Sequence, residues 1–249
     1  MFNLRQIVAA LTCIVTLQAG AQETLLDYAD RSEQDKARDV AEHPLDIVAF
    51  SGVQPGMTVI DVFGGGGYFS EVFAKAVGPN GHVELINNPP YDRYAQKGLA
   101  ARQMATRLPN VAYRVTSPDD MELTPDSADV ALLMMTYHDL FYSDPENNWP
   151  AIDTDGFIAQ IASALKPGGV LIVSDHKSAA GRKDKDSQSL HRIDAAFAKQ
   201  QLLRSGLRFD GEIGVQSNPT DDHTLSVFDP AIRGQTDRFV MRFVKPAAR

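Results

Sequence analysis

Cysteine is almost absent from this sequence: its single copy, Cys13, sits in the first apolar stretch, and nothing after it carries a thiol. Residues 22–249 therefore have no disulfide, no thiolate nucleophile and no sulfur-ligated metal site, and a hydrophobic core must carry the fold. Positive charge is scarce as well. Lys and Arg number 24 against 32 Asp and Glu, a formal charge of −8, so nucleic acid is not an expected partner, because binding it relies on a basic footprint. Long apolar runs are missing too. Residues 7–17 form the longest, well short of the roughly 20 residues that a helix needs to cross a bilayer.

The flanks of that run give it a reading. Arg5 precedes it and Gln18-Ala19-Gly20-Ala21 follows, a charged start, a short apolar region and a small-residue exit that predict a cleavable secretory signal with cleavage after Ala21. The expected product is periplasmic or secreted, with no membrane span. Residues 22–43 are charged and poor in large apolar side chains, which reads as a solvated N-terminal arm rather than a lid. Residues 44–249 fit one domain, since 43% hydrophobic residues can bury one sizeable core.

Hydrophobic patterning predicts a short helix at 45–50, a strand at 58–63, a helix at 68–77, a strand at 82–86 and a helix at 94–108. Strands at 112–115 and 129–135, a helix at 156–165 and a strand at 170–174 follow. Strands alternating with helices predict parallel pairing in a doubly wound α/β sheet. Past Asp186 the pattern changes to one long helix over 189–205, with Leu190, Ile193 and Phe197 on a helical period, then a closing hairpin of strands at 208–216 and 238–244.

The strongest local signal is Val59-Ile60-Asp61-Val62-Phe63-Gly64-Gly65-Gly66-Gly67-Tyr68, a buried strand running into four glycines and then a helix. Such a loop lets backbone approach a ligand closely beside free helix N–H groups. Dinucleotides and S-adenosylmethionine compete for it. The dinucleotide pattern G-x-G-x-x-G would need a third glycine where this chain has Phe69 or Ser70, and an acid ending the second strand where it has Asn87.

Asp61 followed by Gly64, Gly65, Gly66 and Gly67 resembles the first motif of the class I S-adenosylmethionine-dependent methyltransferases, an acid on strand one before a glycine-rich loop. Leu165-Lys166-Pro167-Gly168-Gly169, followed by Val170-Leu171-Ile172-Val173-Ser174-Asp175, is similar to that family's junction from helix to strand five. The resemblance covers nearly all of residues 22–249 and is greatest to an exported "predicted methyltransferase" group. It implies a Rossmann-like seven-stranded sheet of order 3-2-1-4-5-7-6 with the last strand antiparallel, and S-adenosylmethionine as cofactor. Gly64, Gly65 and Gly66 would line its methionine part, and Asp61 would orient the loop or meet the amino group. Two positions depart from the pattern: Asn87 or Asn88 stands where a ribose-binding acid is usual, and Ser117 where an adenine-contacting acid is usual, with Asp119 or Asp120 as substitutes.

Methyl transfer from a sulfonium needs alignment and exclusion of water more than covalent help, and a base only when the acceptor is a hydroxyl or similar group. Tyr137-His138-Asp139 follows strand four, where the family places acceptor-facing residues; His138 is the candidate base, with Asp139 orienting it. Asp175 could pair with Arg192 or bind substrate, and His191 and Arg192 would stand on the long helix, on an exposed face or toward the cleft. Trp149 would wall the acceptor pocket or anchor a loop. Asp221, Asp222 and His223 match no ligand spacing and read as a solvated loop, so no metal is expected. The expected partner is a small-molecule substrate, and the leading activity is S-adenosylmethionine-dependent methyl transfer. A non-catalytic binding protein on the same fold and a nicotinamide-dependent oxidoreductase are the alternatives.

Overall fold

The computed structural model describes residues 25–28 and 31–247; the expected signal segment and cleavage point lie outside them. Among the described residues no helix is long and apolar enough to cross a membrane.

Seven strands form one sheet of order β3-β2-β1-β4-β5-β7-β6. They are β1 (Thr58–Val62), β2 (His82–Asn87), β3 (Val111–Val115), β4 (Ala128–Met134), β5 (Leu165–His176), β6 (Arg208–Ile213) and β7 (Arg238–Val244). β1 to β5 pair in parallel, and β7 lies antiparallel between β5 and β6. This is the strand order that the family resemblance implied, and the parallel sheet and closing hairpin that the sequence pattern predicted. β5 is longer than expected because pairing with β4 resumes beyond an irregularity at Ala128/Val130, which takes the Lys166-Pro167-Gly168-Gly169 segment into the strand.

Alternate residues of each central strand feed two cores. Ile60, Val62, Leu133, Leu171 and Val173 face one side, covered by α6 (Thr154–Ala164) and α8 (Ala195–Arg204). Val59, Leu132 and Ile172 face the other, covered by α2 (Pro44–Ser51) and α3 (Tyr68–Val77). Apolar surface on both faces is what parallel strands require. α4 (Pro89–Arg102) starts five residues earlier than its periodicity indicated, because Asn88 accepts from the Tyr91 N–H at 2.9 Å and two prolines occupy the first turn; α5 (Met104–Arg107) follows it after a left-handed break at Gln103.

Two expectations are corrected. The charged arm is not solvated: α1 (Glu33–Glu42), capped by Ser32, buries Asp35 and Glu42. Asp35 accepts from Arg102 at 2.6 and 2.7 Å, Glu42 from Arg238 at 2.8 Å, and Asp39 pairs with Arg31 and with the Tyr68 hydroxyl at 2.5 Å. The helix is thus tied by charge to α3 and α4, which flank the glycine loop. The single long helix over 189–205 is instead two. α7 (Ser187–Leu190) ends at His191, whose φ of 54° is left-handed; Ile193 then bridges to Lys177, and Asp194 caps α8 by accepting from Ala196 N–H at 2.8 Å.

Candidate active site

β1 ends in a strained turn. Phe63 has φ 56°, a left-handed setting that costs of order 1–3 kcal/mol for a residue of this kind. Its ring is held at 4.9 Å from Tyr91 in a stack and at 5.1 Å from Phe157. The glycine loop then passes over a sealed floor. Asn87 brackets Gly65, accepting from its N–H and donating to its C=O, both at 3.0 Å. A Cβ on Gly64 would lie 2.4 Å from Asp61 Oδ2, and one on Gly66 would lie 3.1 Å from the Gly98 Cα of α4. Gly65, itself a lining residue of the cleft, differs: with φ 56°, its Cβ position has nothing within 4 Å.

Asp61 is fully buried beneath this loop and accepts from the Ser70 hydroxyl at 2.6 Å, while its Oδ1 has no partner. Burial pushes its carboxyl up to about 6, although the Ser70 hydrogen bonds oppose the shift. Because the folded-state value is raised, the stability tied to the protonated form is complete below the unfolded value near 3.8 and is lost as pH rises through about 6. Asp61→Asn removes this penalty. Urea unfolding is expected to move the stability difference in the variant's favour by about 2–3 kcal/mol between pH 4 and pH 8; a difference independent of pH would contradict it.

Above the loop lies a cleft of about 700 Å³, at the carboxyl ends of the central strands, where ligands bind in open α/β sheets. Gly65 and Gly66 line it, and so do Asp139 and the histidines His138, His176 and His191, whose rings lie together as a histidine-rich wall. Aromatic rings enclose it: Tyr91 and Tyr142 lie 5.4 and 5.3 Å from Trp149, Tyr142 lies 5.0 Å from His191, and Phe228 lies 4.8 Å from the same histidine. Trp149 is therefore a wall of the cleft as well as a loop anchor.

The acid and histidine cluster is wired differently from expectation. Asp175, not Asp139, orients His138: its Oδ1 is 2.8 Å from Nδ1, and its Oδ2 accepts from the His138 backbone N–H at 2.7 Å. Burial disfavours the charged ring, yet Asp175 and Asp139 outweigh it and raise His138 to about 9. The Asp175 contact therefore makes His138 something other than the free base that its position implied. Asp139 accepts from the Tyr91 hydroxyl at 2.5 Å. Burial raises the Asp139 carboxyl, but His138, His191 and Tyr91 together hold it below the usual range. Tyr137 is away from the cleft, fully buried and donating to Gln201 at 3.0 Å. Arg192 does not reach Asp175; it is buried against Asp221, at 2.9 and 3.1 Å, so Asp221 itself is packed rather than solvated, while Asp222 next to it is exposed as expected.

A sequence profile described as "Methyltransferase domain" matches residues 53–214, well over half of the chain. The chain belongs to the methyltransferase domain family. The glycine loop and the histidine wall both lie inside the matched region of this methyltransferase domain. The chain is also 27% identical over 132 residues to a ubiquinone/menaquinone biosynthesis C-methyltransferase UbiE of Hydrogenovibrio crunogenus, covering 51% of this chain and 44% of that protein. It thus spans less than half the length of the curated relative that it matches. Among solved structures, an S-adenosylmethionine-dependent methyltransferase from Aquifex aeolicus superposes with TM-score 0.59 at 18% identity, over 84% of this chain and 93% of that one. The complex of the Haloferax volcanii Trm112 methyltransferase activator with a methyltransferase gives 0.61 at 19%, over 87% and 94%. At these identities the superpositions establish the fold.

Of the residues singled out from sequence, Gly65, Gly66, His138, Asp139, Trp149 and His191 meet in the cleft. Asp61, Gly64, Gly67 and Asn87 build the loop from behind. Ser117 lines a neighbouring hollow of about 630 Å³ with Asn88, Pro89, Pro90 and Pro145, and Asp119 is exposed outside both. Tyr91, Tyr142 and Phe228 had no sequence signal, because isolated aromatics in loops and first helical turns follow no period.

Proposed function

We propose that this protein transfers a methyl group from S-adenosylmethionine to a small-molecule acceptor bound in the aromatic cleft. The observation that carries the reading is that bare glycine backbone and a polar, ring-lined wall line one cavity, in a chain of the methyltransferase domain family. The residues fit the cofactor: Gly65 leaves open the space that a side chain would fill, and Asp61 holds an unpartnered buried oxygen under the loop. S-adenosylmethionine, when bound, supplies an activated methyl group with a neutral thioether as leaving group. Gly65 and Gly66 would give it close backbone contact, and Ser117 and Asn88, which line a separate hollow, would meet its nucleoside end.

Asn87 acts by holding Gly65 in place, since both ends of its amide are spent there. Tyr91, Tyr142, Trp149 and Phe228 exclude water and favour a flat or apolar acceptor. Asp139 and His191 are the polar groups that meet it. Label transfer from methyl-labelled S-adenosylmethionine to a panel of small phenols, enols, amines and thiols tests the reading. Incorporation above that of a Gly65→Arg control is the expected result; no incorporation into any class while the cofactor binds would leave a binding protein instead.

A further inference from the structure

His138, Asp139 and His191 place three metal-ligating side chains on one wall of the cleft, with their donor atoms within 4.8 Å of one another. Asp139 Oδ1 lies 3.3 Å from His138 Nε2 and 3.6 Å from His191 Nδ1. Both separations exceed the roughly 2.7–2.9 Å of a charge-assisted hydrogen bond. They suit two ligands sharing one ion, because bonds of about 2.0–2.1 Å to nitrogen and oxygen in tetrahedral geometry place ligand atoms roughly 3.3–3.4 Å apart.

Each ligand is also oriented from behind. Fully buried Asp175 holds His138 Nδ1 at 2.8 Å and so turns Nε2, on a ring only 4% exposed, toward Asp139. That carboxylate–histidine arrangement is the usual outer support of a metal-bound imidazole. Tyr91 donates to the second Asp139 oxygen, and Tyr142 and Phe228 hold the His191 ring, whose backbone sits in the left-handed region.

We propose that His138, Asp139 and His191 bind a divalent first-row metal ion such as Zn²⁺, with its remaining positions open to the cleft. Two imidazoles and one carboxylate suit Zn²⁺, Co²⁺ or Fe²⁺ better than the all-oxygen sites of Mg²⁺ and Ca²⁺. Three protein ligands leave room for an outside donor, as in catalytic rather than structural sites. The metal site stands on its own geometry. That its open positions take an oxygen or sulfur atom of the acceptor rests on the methyltransferase reading.

Sequence spacing gave no warning, because His191 follows Asp139 by 52 residues and reaches the cleft only through the break after α7.

Full-length protein stripped with a chelator and titrated with Zn²⁺ and Co²⁺ tests the proposal. One equivalent is expected to bind at micromolar or lower concentration, with visible Co²⁺ bands of a four- or five-coordinate site. His191→Ala is expected to lose about 100-fold in affinity together with those bands. The supporting change Asp175→Asn is expected to lose about 10–100-fold, with circular dichroism reporting whether it folds. No stoichiometric binding would overturn the site. So would binding and spectra unchanged in His191→Ala, which would place the ion on surface groups such as His43 and Asp46. S-adenosylhomocysteine titration of the same samples keeps failure of the metal site distinct from failure of the methyltransferase reading.

Discussion

Arg192→Leu is expected to destabilise the protein by about 3–5 kcal/mol, the usual consequence of removing one partner from a buried ion pair. Arg192 is fully buried, and its Nε donates to Leu225 C=O at 2.8 Å, its Nη1 to Lys177 C=O at 2.9 Å, and both terminal nitrogens to Asp221. Asp221 also accepts from the Asp237 N–H at 2.7 Å. One guanidinium therefore ties the end of β5, the turn that presents His191 and the long β6–β7 connection. Leucine would fill much of the volume but leave the Asp221 charge and two carbonyls without it. Urea unfolding measures the loss. A change below about 1 kcal/mol would mean that the pair contributes as little as an exposed one. The double change Arg192→Leu with Asp221→Leu should recover part of the loss, because no charge is then left unpaired.

Gly65→Arg is expected to abolish cofactor binding while leaving the fold in place. The Cβ position of Gly65 meets nothing within 4 Å, so a long side chain has room to enter the cleft, and there it would occupy the space proposed for the methionine part. The backbone penalty at φ 56° should stay near the 1–2 kcal/mol typical of a non-glycine residue in the left-handed region. In a thermal melt with S-adenosylhomocysteine at about 100 times its dissociation constant, the parent should gain about 2.7 kcal/mol and the variant none. Equal shifts in both would move the cofactor away from this loop.

The strands were legible in the sequence because the central ones are dominated by apolar residues and follow glycine or proline turns, as at Gly56 before β1 and Gly169 within β5, and their order followed from the family resemblance. The glycine loop was legible for the same local reason. Failures occurred where polar groups were buried. α1 has no apolar stripe, and its Asp35 and Glu42 are buried through Arg102 and Arg238, more than 60 residues away; hydrophobic periodicity has no access to such pairings. The break at 191–194 replaced a continuous helix because Asp194 is a strong cap and Ile193 bridges to Lys177, a contact made only once the sheet exists. That break carries His191 into the cleft. His138 and Asp139 were found from their place after β4, but their partners were not. Asp175 and Tyr91 come from β5 and α4, which the sheet order brings to the same rim.

The most direct test of the central claim is calorimetric titration of the protein with S-adenosylmethionine and S-adenosylhomocysteine, with NAD as a comparison. Saturable one-to-one binding of both sulfur ligands, and none of NAD, is the predicted result. Absence of heat with both, or binding of NAD in their place, would contradict a methyl-transfer site at the glycine loop.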